Sequence, residues 1–362
     1  MKIKQQQSKG LEKYVNLECN LHVYKNVQPI NDVVSKLAKY HSDIDLNYLF
    51  NKIIKTHFNT GVAPLHTNQL AVVNTKASVS IIDLAGLRAD KLFTEYSKYS
   101  DNFDTNCDPV VLLHPSIFSE VTPEIDALFN LDGMHRVVSA AVAGIDTIDV
   151  QVIVRRKDLR KLITQKQIND IKHTRSACSW FPSYQQINEV GIDGQRVQYP
   201  RYPDIYDFSV LEDQTVVDFG GNTGQACVEA YFNGAKQLYN LDVQQCAVST
   251  ANQIFDTLGM CNASSHTIDF NKPTFEEDVL KICNGWDWCI FQAIYRTKEI
   301  LDIKSNFKFI VENTRKGIMF EGNGEPTIDT DEFYFSIFEE FNFKKVIPRG
   351  LCQKRPVYII YK

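Results

Sequence analysis

Val216-Val217-Asp218-Phe219-Gly220-Gly221-Asn222-Thr223-Gly224-Gln225 decides how the C-terminal half of this 362-residue chain is read. An apolar run ends near a carboxylate, glycines follow, and helix-forming residues come directly after. That order predicts a buried strand, a tight turn and a helix start, the geometry that brings backbone amides close to a polar or anionic cofactor. The next predicted strand closes on Tyr239-Asn240-Leu241-Asp242, with an acidic residue where a ribose-binding carboxylate is expected. Nucleotide-type cofactor binding is the expectation. The spacing narrows it. A dinucleotide fingerprint needs G-x-G-x-x-G, and the positions of its second and third glycines here hold Asn222 and Gln225. A pyrophosphate is thereby disfavoured.

What remains, D-x-G-x-N-x-G, resembles the first motif of class I S-adenosylmethionine-dependent methyltransferases, in the variant with Asn at the middle glycine. The pattern around it alternates as that family's does. Strands are expected at Thr215 to Phe219, Gln237 to Asp242, Ser265 to Phe270, Trp286 to Ile294 and Phe307 to Glu312, closed by an antiparallel pair at Lys344 to Ile347 and Pro356 to Tyr361. Helices are expected from Gly224 to Phe232, Val248 to Leu258, Thr274 to Cys283 and Asp331 to Phe341. The resemblance implies an α/β fold, a Rossmann-like seven-stranded sheet over residues 201–362, with S-adenosylmethionine as cofactor.

Carried over residue by residue, the resemblance gives Asp218 the methionine ammonium region. Gly220, Gly221 and Gly224 keep side chains out of the cofactor's path, with Asn222 in the same bend. Asp242 holds the ribose hydroxyls, and Asp269 with Phe270 flanks the adenine. Gln292 to Arg296 line the mouth where acceptor meets methyl group. Each of these alone has an ordinary structural reading; their coincidence at the family's spacing carries the argument. A sulfonium is already activated, so a general base is optional. Tyr295, Arg296, Glu312 and Glu321 are the candidates, Glu321 in the glycine-bracketed Phe320-Glu321-Gly322-Asn323-Gly324 expected to follow the fifth strand. Arg296 could pair with an acidic substrate, but as an arginine of a helix's first turn it reads more readily as a solvated or salt-bridged residue. The fourth strand lacks the [DNS]-P-P-[YFW] ending of amino-methylating DNA enzymes, and no Pro-Cys nucleophile is present.

A second informative stretch lies upstream, in Asp132-Gly133-Met134-His135-Arg136-Val137-Val138-Ser139-Ala140-Ala141-Val142-Ala143-Gly144. An Asp-Gly turn opens a helix whose first turn holds His135 and Arg136, so amides, the helix dipole and a guanidinium can converge on one phosphate. The unit resembles the ParB/sulfiredoxin-like family, whose core is D-G-x-H-R-x-x-A before a helix, a glycine and a strand, here Thr147 to Val154. Ser139 replaces the motif's Ala. Ser78 to Leu84, the helix Leu87 to Tyr99 and Pro109 to His114 follow the family's order. The resemblance implies nucleotide or phosphate binding through Asp132, Gly133, His135 and Arg136, with ATP or CTP and Mg as ligands. Met134 stands where sulfiredoxins place a catalytic cysteine, which excludes sulfinic acid reduction. The bland alternative is a capped, salt-bridged helix start.

The expected organisation is a helical lobe at 1–70, the smaller α+β ParB/sulfiredoxin-like domain at 71–160, a helical connector and lead-in at 161–200, and the methyltransferase domain at 201–362. The aromatic lead-in Trp180-Phe181-Pro182-Ser183-Tyr184-Gln185-Gln186-Ile187 resembles segments that cap the cofactor pocket in such enzymes. With 39 basic and 44 acidic side chains no global basic field points to nucleic acid. Arg155, Arg156, Lys157, Arg160, Lys161 and Lys166 read as a solvated face. Nine scattered cysteines without C-x-x-C read as free thiols in a reducing compartment, and the histidines lack ligand spacing, so no metal is expected. A polar N-terminus and the lack of any long apolar run predict a cytoplasmic protein without membrane association. Three functions fit: a methyltransferase acting on a small-molecule or nucleotide-linked acceptor, a bifunctional enzyme whose upstream module is a nucleotide-dependent kinase or hydrolase, and a non-catalytic binding protein.

Overall fold

A computed structural model describes residues 26–29, 69–79, 82–83, 108–114, 117, 128–178, 184–197, 202, 205–325 and 327–362. They fall into two units, Met1–Ile163 and Thr164–Lys362.

In the first unit, β1 (Asn26–Pro29), β2 (Leu70–Ser78), β3 (Ile82–Asp83), β4 (Val110–Leu113), β5 (Leu128–Asp132) and β6 (Thr147–Arg155) form one sheet in the order β1-β2-β6-β4-β5-β3. The long pair β2 and β6 is antiparallel from Leu70 opposite Arg155 to Ser78 opposite Thr147. Their Val, Ile and Leu positions are buried, as β-branched and aliphatic side chains on a pleated surface favour. Helix α1 (Met134–Val142) connects β5 to β6. Three expectations change here. Of the strand read as Ser78 to Leu84, Ser78 closes β2 and Ile82–Asp83 form the two-residue β3. Arg155 and Arg156 are buried rather than solvated, and Arg155 donates to Ile117 O at 2.9 Å. Asn26–Pro29 is a strand inside the span read as a helical lobe. The rest of that lobe up to 68, and the helix expected at Leu87 to Tyr99, lie outside the described residues.

The second unit opens with α2 (Gln165–Ser176), begun by a capping box between Thr164 and Gln167. Seven strands follow: β7 (Thr215–Phe219), β8 (Gln237–Asp242), β9 (Ala263–Thr267), β10 (Trp286–Gln292), β11 (Thr314–Glu321), β12 (Lys345–Cys352) and β13 (Arg355–Tyr361). Helices α3 (Gln225–Phe232), α4 (Gln245–Thr257), α5 (Phe275–Ile282), α6 (Ile303–Asn313) and α7 (Asp331–Phe338) connect them. The sheet order is β12-β13-β11-β10-β7-β8-β9, parallel except that β13 runs antiparallel to both its neighbours. The expected seven-stranded α/β sheet with a closing antiparallel pair is present. From β7 the chain runs outward through β8 to the edge strand β9, then returns across the sheet to β10. Between β7 and β10 lies the switch point, where open α/β sheets form their crevice outside the carboxyl ends of the strands.

Aromatic packing fixes the centre of this sheet. Trp286 is fully buried, donates Nε1–H to Thr314 Oγ1 at 2.7 Å, and lies edge-on to Phe219 with ring centroids 5.4 Å apart. Phe320 contacts Phe307, Tyr334, Phe338 and Tyr358, joining β11 to α6, α7 and β13. Phe307 to Glu312, read above as the fifth strand, is in helix α6. Phe307, Ile310 and Val311 turn to the sheet while Lys308 and Glu312, exposed and 3.9 Å apart, lie on the outer face. The fifth strand is Thr314–Glu321. Two cysteines of the nine are also not free: Cys178 and Cys246 form a disulfide between the end of α2 and helix α4, with Cα atoms 5.4 Å apart.

Candidate functional site

The bend after β7 is held by contacts that explain its composition. Gly220 has φ 65 and Gly224 φ 83, the left-handed region where glycine carries no Cβ penalty. A Cβ on Gly220 would lie 2.7 Å from Ile294 Cδ1, and one on Gly221 only 1.9 Å from Asn240 Oδ1 and 2.5 Å from Asp218 Oδ2. The glycines are thus required by the protein's own packing. Asn222 also takes a left-handed φ of 52, which Asn tolerates better than most residues. Its Oδ1 accepts from Thr223 N at 2.9 Å, and its carbonyl accepts from Asn240 Nδ2 at 3.0 Å.

Asp242 meets this bend. Its Oδ2 accepts from Asn222 N and its Oδ1 from Gln244 N, both at 2.9 Å. Burial pushes its pKa up, and the backbone N–H groups of Gln244, Asn222 and Val243 pull against that. Asp269 and Phe270 follow β9 rather than end it, since the strand stops at Thr267. Ile268 N donates to Asp242 O at 2.9 Å, which sets this turn beside Asp242. Asp269 Oδ1 accepts from Asn271 N at 2.9 Å in an Asx turn, and the Phe270 ring stacks on Phe275 at 4.9 Å. Both residues are half-buried. Asp218 is buried on the other flank, near Cys227 and Cys289, whose thiol pKa values are raised well above normal by burial and then by the Asp218 charge.

The mouth differs from expectation. Gln292 ends β10 and is half-buried. Tyr295 turns into the core, 5.3 Å from Phe307 and 6.1 Å from Phe320 between centroids, and burial, then Glu340, pushes its pKa up to about 12. It is no base near neutral pH. Arg296 lies in a loop rather than a helix's first turn, paired with Glu325 at 3.3 Å and Asp329 at 3.4 Å. Glu312 is exposed on α6. Glu321 is the last residue of β11 rather than a loop residue, fully buried, with Arg196 and the Tyr206 hydroxyl donating to it and Arg355 Nη1 at 3.2 Å.

Several contributing residues lie in the lead-in, of which residues 179–183 are outside the described set. Gln185 is buried and clasps the bend: its Oε1 accepts from Thr223 Oγ1 at 3.0 Å and Gln225 N at 3.2 Å, and its Nε2 donates to Gly221 O at 3.2 Å. Gln225, fully buried, returns the contact through Nε2 to Gln186 O at 2.5 Å and Arg196 O at 3.0 Å. The aromatic lead-in resembled a cap in the sequence, but nothing there showed which amide would reach the glycines.

In the first unit, Asp132 ends β5, Gly133 takes φ 87 before α1, and Arg136 Nη2 reaches back to Asp132 Oδ2 at 3.3 Å. A Cβ on Gly133 would lie 2.5 Å from the Arg136 guanidinium. His135 is exposed. Among the described residues no group of three or more His, Cys, Asp and Glu could hold a metal, and no helix is long and apolar enough to cross a membrane.

No family model and no curated protein matches the chain. Among solved structures it is similar to a Streptococcus mutans protein assigned to the S-adenosylmethionine-dependent methyltransferases, at 14% identity, over 42% of this chain and 46% of that one, with a TM-score of 0.34. The magnesium protoporphyrin IX methyltransferase of Synechocystis PCC 6803, with bound S-adenosylmethionine, matches at 13% identity over 42% of this chain and 71% of that one, TM-score 0.34. The N-terminal domain of EvdMO1, with S-adenosylhomocysteine and D-fucose, matches at 9% identity over 55% and 97%, TM-score 0.38. The chain spans about half the length of the first of these, 46%.

Proposed function

We propose that the Thr164–Lys362 unit is an S-adenosylmethionine-dependent methyltransferase acting on a small-molecule or nucleotide-linked acceptor. The observation that carries this reading is the approach of Asp242 to the glycine bend, with Oδ2 2.9 Å from Asn222 N, at the switch point of a seven-stranded sheet with one antiparallel strand. The donor set fits the cofactor: a carboxylate oriented by backbone N–H groups for sugar hydroxyls, an aromatic ring and carboxylate at Phe270 and Asp269 for adenine, and Asp218 with the bend for the amino acid moiety. Bound there, S-adenosylmethionine supplies an already activated methyl group.

The chain's own part is to orient the acceptor and exclude water at the ends of β10 and β11. Tyr295 and Arg296 are committed to packing and ion pairs, so neither takes the acceptor's proton. Glu321, enclosed by two guanidiniums and a hydroxyl, works as an anchor for them.

Calorimetry with S-adenosylhomocysteine tests the reading. One equivalent is expected to bind, and Gly220→Arg to abolish binding, because a side chain is strained at φ 65 and this one would start 2.7 Å from Ile294 Cδ1 and fill the bend. Absence of both heat and thermal shift at millimolar S-adenosylmethionine overturns it.

For the first unit we infer a ParB/sulfiredoxin-like domain that holds a nucleotide phosphate at Gly133, His135 and Arg136. Supporting this, Arg136 Nη1 is buried without an acceptor among the described residues, at the start of α1. ATP and CTP with Mg are the ligands to titrate. Arg136→Ala is expected to weaken binding about tenfold, as loss of a charged hydrogen bond does, and hydrolysis during the titration would favour the bifunctional reading. No binding by either nucleotide removes the assignment.

A further inference from the structure

Tyr184 and Arg196 share a short backbone ladder with Gln185: Arg196 N donates to Tyr184 O at 2.7 Å, and Gln186 N to Arg196 O at 3.0 Å. Through Gln185 and Gln225 this ladder rests on the bend after β7. Its side chains nevertheless reach Glu321 at the end of β11. In the sheet β10 lies between β7 and β11, so this bridge crosses the end of β10. There Ala293 is held at φ 60, its N–H on Glu321 O at 2.8 Å and its carbonyl on Asn323 Nδ2 at 2.9 Å. A non-glycine residue in that conformation is uncommon, and here both of its backbone groups are held by β11 and the loop after it.

Among the described residues, two guanidiniums, Arg196 and Arg355, share one carboxylate, Glu321, beside two phenol groups, Tyr184 and Tyr206. Arg196 Nη1 and Arg355 Nη1 both donate to Tyr184 Oη, at 3.3 and 3.1 Å. Arg196 is buried, and its Nε–H has no acceptor among the described residues. Arg355 is the reachable member, with 21% of its side chain exposed. Burial pulls the Arg355 pKa down, but Tyr184 and Glu321 outweigh that and leave it raised, so it stays charged. Both hydrogen bonds of Arg355 leave from Nη1, and a planar guanidinium fork matches a carboxylate.

We propose that Arg355 and Arg196 form a subsite for a carboxylate on the methyl acceptor, placed over the end of β10. Among the described residues the two guanidiniums share a single carboxylate, and an incoming anion would complete them. This rests on the methyltransferase reading of the unit, and the test separates the two.

The full chain, saturated with S-adenosylhomocysteine, is titrated with benzoate, its neutral isostere benzamide, and phenyl phosphate at fixed ionic strength. Benzoate is expected to bind at least tenfold more tightly than either. Arg355→Gln should weaken benzoate about tenfold and Arg355→Lys less, since lysine keeps the charge but loses the fork, while S-adenosylhomocysteine affinity changes less than twofold. Equal binding of benzamide, or benzoate binding indifferent to both substitutions, overturns the subsite. Tighter binding of phenyl phosphate overturns the carboxylate assignment. Loss of S-adenosylhomocysteine binding in the unsubstituted protein would instead strike the methyltransferase reading, and the benzoate titration is then repeated without it. A melting temperature close to the parent's for Arg355→Lys guards against misfolding as the cause.

Discussion

Asp242 carries a cost and its proposed function in the same two oxygens. Burial raises its pKa above the ordinary 3.8. Between the ordinary and the raised value the folded protein keeps a proton that the unfolded chain has released. Its contribution therefore favours the fold at low pH and declines as pH rises through that window. Cofactor binding should run the other way, because only the ionised carboxylate accepts from two sugar hydroxyls. S-adenosylhomocysteine affinity is expected to fall on acidification at a pH above that of an ordinary aspartate, measured by calorimetry across pH. Asp242→Asn should weaken binding roughly ten- to hundredfold, the scale of one or two charged hydrogen bonds, and abolish that pH dependence. A variant that binds as tightly as the parent would remove Asp242 from the site.

At the scale of elements, the lead-in belongs to the proposed binding site. Gln185 makes three hydrogen bonds to the glycine bend. Gln185→Ala should lower stability by ~1–3 kcal/mol and weaken S-adenosylhomocysteine several-fold; Gln185→Glu should recover little, since a carboxylate cannot donate to Gly221 O. Chemical denaturation and calorimetry on the same samples separate the two effects. The bend itself was legible in the sequence because a strand, glycines and a second-strand Asp leave few alternatives. The clasp was not, because its partners are about 40 residues apart and an amide side chain carries no pattern. The fifth strand was misplaced for a different reason. Phe307-Lys308-Phe309-Ile310-Val311 is a short apolar run that fits a buried strand or a helix face equally. Gly317-Ile318-Met319-Phe320 was the better signal, since a Cβ on Gly317 would lie 2.4 Å from Ile360 O of the neighbouring strand.

At the scale of the whole chain, the division at Ile163 and Thr164 bears on organisation. Helix α2 and the lead-in group with the seven-stranded sheet, so the fragment Thr164–Lys362 is expected to unfold cooperatively and to bind S-adenosylhomocysteine within about threefold of the full chain. A fragment cut at residue 201 lacks Gln185, Arg196 and the Cys178 half of the disulfide, and should bind far more weakly. Equal affinity of the two fragments would show the lead-in to be dispensable. The cysteine pairing lay beyond sequence reading, since Cys178 and Cys246 are 68 residues apart and form no recognisable motif.

The reversed direction of β13 has a practical side. Arg355, its first residue, comes to the same edge as Glu321, whereas Tyr361 pairs with Gly317 and Lys362 N donates to Lys316 O at 2.8 Å. Lys316 and Glu321 are separated by roughly 16 Å of strand. A fluorophore joined to a cysteine placed at the exposed Lys316 would therefore leave from the opposite end of the strands, away from Arg355 and Glu321.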